Sequence, residues 1–156
     1  MEVRRTSNSE AIKKMLAELE KKEIRVGFFE NSKYTDGTPI AYVAAIQEFG
    51  HGPIPPRPFM RPAELQNKNK WQAGIAAGVK AALNGSITIN AALEQVGMVA
   101  AGDVRKAIKA VTAPPLADST ISGRQSRKKG KKAASTKPLV DTGQMLQAVT
   151  SAVVNK

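Results

Sequence analysis

Apolar positions along this chain change their period several times, and each change marks an expected element. Ile12, Met15, Leu16 and Leu19 recur at helical spacing behind Ser7-Asn8-Ser9-Glu10, which reads as a capping box, so an amphipathic helix is predicted over residues 8–22. From Glu23 the period becomes two. Ile24, Val26 and Phe28 alternate with Arg25 and Gly27, the pattern of a half-buried strand. A polar loop, Asn31–Gly37, leads to Thr38-Pro39, a cap followed by proline at the first helical position. Tyr42, Val43, Ile46 and Phe49 share one face of the helix that follows, and Gly50 can take the left-handed conformation that ends it.

Five of the nine prolines then fall within Pro53–Pro62. Each fixes its own φ and pushes its predecessor toward extended geometry, which predicts a stiff arm roughly 30 Å long at about 3.1 Å per residue. Pro62 opens a helix over about 63–83, with Leu65, Trp71, Ile75, Val79 and Leu83 as its apolar face. Gly74 and Gly78 lie on another side and admit the close approach of a neighbouring helix. Beyond Asn84-Gly85 a longer helix is expected over about 90–111, striped by Leu93, Val96, Ala100, Val104, Ala107, Ile108 and Val111. Arg105, Lys106 and Lys109 suit the negative pole of its dipole.

Pro114-Pro115 stops that helix. Residues 114–137 are rich in Ser, Lys, Gly and Ala and cannot bury enough surface to offset ordering entropy, so a flexible, mobile basic loop is predicted there. Apolar character resumes at Leu139-Val140. Asp141 reads as the structural cap of a short helix to about Ala148, and Val149–Val154 as a final strand. The expected fold is α+β: a small mixed β-sheet packed by three to four helices, with the proline-rich arm and the basic loop, in a single domain over residues 1–156.

Composition narrows the function classes. The chain has no cysteine and one histidine, His51, which removes thiolate nucleophiles, thiolate zinc sites and multi-histidine metal or relay chemistry. Met1–Ser9 contains no apolar core of a signal peptide, and no apolar run approaches the roughly 20 residues a membrane helix needs. Of the net charge of +11, Arg124, Arg127, Lys128, Lys129, Lys131, Lys132 and Lys137 supply seven with no acid among them, leaving +4 for the rest. The charge is thus local to one segment. That run reads either as a solvated loop or as a contact for DNA or an acidic partner, and it lacks the aromatics that would stack on bases.

Two motifs carry a resemblance. Ile46-Gln-Glu-Phe-Gly50, a short spacer, and Pro55-Pro-Arg-Pro-Phe-Met-Arg-Pro-Ala63 resemble the signature of tailed-bacteriophage neck, or tail-completion, proteins. Pro138-Leu-Val-Asp-Thr-Gly143 resembles the closing segment of the same family, with Met145 and Val149 at the usual apolar positions beyond it. The match spans about residues 24–154 and includes Pro115-Leu116 and Ser119-Thr120-Ile121. The resemblance implies a compact α+β subunit of the virion, assembled in the host cytoplasm. It implies a ring of such subunits around the DNA channel that joins the head connector to the tail, with head-closure and tail-terminator or tail-tube proteins as neighbours. Independently of the resemblance, a preorganised arm displaying Arg57, Phe59, Met60 and Arg61 next to Phe49 presents residue types favoured at interfaces, so these five are the candidate intersubunit contacts. The plainer alternative is that the arm drapes over its own subunit, with Phe59 in the local core.

Catalytic readings are weaker. Asp141-Thr142-Gly143 is similar to the active loop of aspartic proteases, but that chemistry needs two carboxylates sharing a proton and a β-barrel around them. Glu48 and His51 lack the second histidine of a zinc-protease helix. The expected function is therefore structural and non-enzymatic, with no cofactor. A tail-terminator or minor tail protein is the nearest alternative, and a small basic DNA-binding protein is the alternative of another class. A DNA-binder would bind duplex as an isolated subunit; a joining protein would copurify in particles and form rings.

Overall fold

The computed structural model describes residues 2–128 and 133–156. Among these residues the chain order is α1 (Glu2–Glu20), β1 (Lys22–Gly27), α2 (Ile40–Phe49), α3 (Met60–Leu83), α4 (Ile89–Ala110), α5 (Asp118–Ser126), α6 (Gln144–Ala148) and β2 (Thr150–Asn155). The class is α+β, as its periodicity suggests, but with six helices and one two-stranded antiparallel sheet in place of three to four helices and a mixed sheet. The chain divides into two compact units, one of Met1–Val26, Lys68–Ala100 and Ser151–Lys156, the other of Gly27–Asn67 and Ala101–Thr150.

The first unit is built on small residues. Ala82, Ile89 and Leu93 form its buried cluster, covered by Met15, Leu19, Ile24, Ile75, Val79 and Val153. Burying Ile89 and Leu93 contributes about 2 kcal/mol each. The two glycines of α3 do face a helix. A Cβ on Gly78 would lie 2.8 Å from the Ala92 methyl, and one on Gly74 3.3 Å from Val96. Gly97 of α4 meets Ser151 of β2 and Ile24 of β1 just as closely. Gly85, at φ 76°, closes α3, its amide on the Ala82 carbonyl and that of Ser86 on the Ala81 carbonyl. Thr88 caps α4, its hydroxyl accepting from the Ala91 amide. α1 begins at Glu2, ahead of the start expected at residue 8.

In the second unit Ile40, Ala44, Phe59, Ala63, Ala101, Val104, Ile108, Leu139, Met145 and Val149 are buried, α2 packs on α6, and Phe28 meets Phe59 edge-on at 6.1 Å. Three expectations need correction here. Thr38 does not cap α2; Pro39 holds that position, because Thr38 serves the preceding turn, giving its amide to Asp36 and its carbonyl to Tyr34. The proline segment is no projecting arm. His51 and Ile54 pair in a tight turn, and the Arg57 amide donates to the Gln47 carbonyl, so the segment folds back on α2. Leu65 is 83 % exposed, since it lies two residues beyond the buried Ala63 and hence across the helix from it.

Candidate functional site

The Ile46–Ala63 segment is organised by Glu48. Its carboxylate, on α2 and 4 % exposed, accepts from the backbone amides of Phe59 (2.7 Å), Met60 (2.9 Å) and Arg61 (3.2 Å) and from Arg61 Nε (2.9 Å). Those amides include the free donors at the start of α3, so Glu48 caps that helix from another element and favours its positive pole. The helix therefore starts at Met60 rather than beyond Pro62, and Pro62 sits in the first turn where its missing amide costs nothing. Burial raises the Glu48 pKa, but the amides of Phe59, Met60 and Arg61 and the Arg61 guanidinium together outweigh it and hold the carboxyl below its ordinary range.

Of the five candidate contacts, this arrangement separates two from the rest. Phe59 is 1 % exposed and Arg57 5 %. Being two apart in extended chain, they point the same way, which here is inward. Arg57 gives Nε to the Pro114 carbonyl (2.7 Å) and its terminal nitrogens to the Pro115 carbonyl (2.9 Å) and to Gln47 (3.3 Å). Both residues are committed to their own chain. Met60 is half-buried, while Phe49 is 66 % exposed with the Arg61 guanidinium 5.1 Å above its ring. Tyr42, on the same helix as Phe49, and Leu65 are exposed as well.

A second organiser is Arg124 of α5, a residue the sequence suggested for DNA or acidic-partner contact. It is 7 % exposed, and its guanidinium donates to the carbonyls of Ser135, Lys137, Pro138 and Val140. Burial lowers its pKa and Asp141 opposes that shift. The expected loop thus contains a nine-residue helix clasped to Pro138–Val140, because one guanidinium satisfies carbonyls that an apolar count ignores. Asp141 is not a helix cap either. Gly143, in the left-handed conformation, holds the cap position of α6, and Asp141 instead meets Arg127 at 2.8 Å and Arg124 at 3.8 Å. These groups line an open cleft of about 290 Å³ together with Tyr34, Gln47 and Gln144. Burial there raises the Tyr34 pKa, with Asp141 and Asp36 adding to it.

Asp36 lines the same cleft, and Asp141 forms ion pairs there. Asp141 is held between two guanidinium groups, whereas a proteolytic dyad needs a carboxylate that shares a proton with another. Among the described residues no group of His, Asp and Glu side chains is placed to hold a metal ion, and no helix is long and apolar enough to cross a membrane. Of the remaining basic candidates, Arg127 and Lys128 are exposed, and Lys129, Lys131 and Lys132 lie outside the described residues. Sequence reasoning missed Glu48 as a capping group; the usable signal was a lone acid on an otherwise apolar helix face ahead of a proline-rich stretch. No protein-family model, no curated protein and no solved structure matches this chain significantly.

Proposed function

We propose that this chain is a non-enzymatic structural protein of the neck or tail-completion region of a long-tailed phage, oligomerising into a ring that joins the head connector to the tail. The resemblance of Ile46–Ala63 and Pro138–Gly143 to the neck-protein signature supports the assignment to virion assembly. Both segments have architectural roles in the second unit, one ordered by Glu48 and the other clasped by Arg124, and neither assembles a nucleophile and base. The observation that carries the oligomeric part of the reading is the exposed group of Tyr42, Phe49 and Leu65, with Arg61 stacked on Phe49. Aromatic and arginine side chains of this kind dominate the buried centres of interfaces, and leaving them in water has no folding benefit. Phe49 and Arg61 make the intersubunit contact in this reading, with Met60 at its edge. Arg57 and Phe59 act behind them by fixing the shape of the segment.

The combined variant Phe49→Ser, Leu65→Ser should keep the helical circular-dichroism signal and lose ring formation in sedimentation and incorporation into particles. Unchanged particle yield with that variant would sink the joining role.

A further inference from the structure

Two basic stretches that are far apart in sequence meet in the second unit. Lys137 reaches back with its ammonium to the Lys109 carbonyl (3.3 Å) at the end of α4. Lys106 lies one turn before Lys109 and is 82 % exposed at its side chain. The carbonyl of Lys137 is itself gripped by Arg124 of α5, and just beyond the end of that helix come Arg127, 66 % exposed at its side chain, and Lys128. Lys106, Lys109, Arg127, Lys128 and Lys137 are all exposed, and the Lys137–Lys109 and Arg124–Lys137 contacts tie the three segments that carry them into one basic region. The charge asymmetry is larger than the Arg124–Lys137 run alone suggests: residues 105–137 hold ten basic side chains against one acid, Asp118, a net +9 that leaves only +2 for the rest of the chain. The acids at its border are partly neutralised, Asp103 by Lys106 and Asp141 by Arg127 and Arg124.

We infer that this surface binds the phosphate backbone of duplex nucleic acid without reading its sequence. Lysine is depleted at protein interfaces, and apart from Asp118 the exposed positions of α5 are Ser, Thr, Gly and Gln, with no aromatic among them. Lysine, arginine and hydroxyl groups are the usual partners of phosphate oxygens, and the absence of aromatic side chains to stack on bases removes a source of specificity. Arg124 takes no part, because it is buried with its donors on carbonyls, whereas Arg127 pairs with Asp141 but stays 66 % exposed at its side chain. The inference stands independently of the joining role, since it concerns a different set of residues.

The test is binding of the full chain to a labelled duplex of arbitrary sequence, followed by fluorescence anisotropy across a salt series. Each phosphate neutralised contributes about −0.9 to the slope of log affinity against log salt, so five contacts give roughly −4.5. Affinity should then fall several hundred-fold between about 50 and 200 mM salt. The variant Lys106→Gln, Lys109→Gln, Lys137→Gln should bring the slope to roughly −2 and the loss to about tenfold, while the Lys→Arg triple variant keeps the parent slope. Duplexes of unrelated sequence should bind alike. An unchanged slope in the Gln variant overturns the inference. So does equal competition by an acidic polypeptide at matched charge concentration, which would identify the surface as one for an acidic protein. Failure of ring assembly alone would count against the joining role and leave these slopes as predicted.

Discussion

A carboxylate that is almost fully buried yet accepts four hydrogen bonds is expensive to lose, because its removal strands three amides and a guanidinium together. Glu48→Ala should destabilise the chain by about 3 kcal/mol in denaturant unfolding, with the loss concentrated at residues 57–62 in hydrogen exchange. The same residue sets an acid limit. Its folded pKa is depressed below the ordinary 4.5, so its contribution is fully present above that value and disappears as pH falls through the lower, folded one. Melting temperature should therefore drop with acidification in this window, and the pH profile of Glu48→Gln should be flatter there. A parallel profile in the two proteins would mean that Glu48 is not the titrating group. Asp141 differs in kind. With 28 % of its side chain exposed and two guanidinium partners, Asp141→Asn should cost at most about 1 kcal/mol, seen as a small shift in the unfolding midpoint.

At the scale of elements, the glycines of α3 and α4 allow a matched comparison. Gly78→Ala would force a methyl to within 2.8 Å of Ala92 and push α3 and α4 apart, which should cost about 1–3 kcal/mol less the gain in helix propensity. Gly102 of α4 has nothing within 4 Å of its added Cβ, so Gly102→Ala should stabilise by about 0.5–1 kcal/mol. Opposite signs in thermal melts would confirm the packing. These elements were also the legible ones. Spacing placed α3, α4, β1 and β2 to within a few residues, and picked out Gly74 and Gly78 as close-approach sites, since a hydrophobic period is local information. Three features were not legible: the backfolded proline segment, α5, and the true partners of Asp141. Each depends on a single polar side chain, Glu48, Arg57 or Arg124, reaching atoms 10 to 58 residues away. No periodicity encodes such a reach. The candidate contact list took composition for exposure at Arg57, Phe59 and Arg124, which are buried within their own chain.

For the molecule as a whole, the arginines explain how a chain with few large apolar residues holds a net charge of +11. Arg57, Arg105 and Arg124 direct their guanidinium groups to backbone carbonyls of Pro114, Pro115, Val149 and residues 135–140, so much of the tertiary bonding of the second unit is between cation and dipole. Salt screens the long-range repulsion among surface cations more than these short, half-buried contacts. Raising ionic strength from low to physiological should therefore raise the melting temperature in calorimetry. A fall would mean that exposed ion pairs such as Arg25–Glu23 matter more than the net repulsion.

The pairing of β1 with β2 has a consequence for biosynthesis. A strand at residues 22–27 whose only described partner is at 150–155 leaves the ribosome with its hydrogen-bonding edges empty. At ordinary translation rates the partner arrives on the order of ten seconds later. During that interval a bare strand can recruit the same strand of a neighbouring nascent chain on the polysome. Lys22, Glu23 and Arg25 place charge along that edge, the usual guard against such pairing. Replacing them with threonine should leave the finished fold intact and shift newly made protein into inclusion bodies.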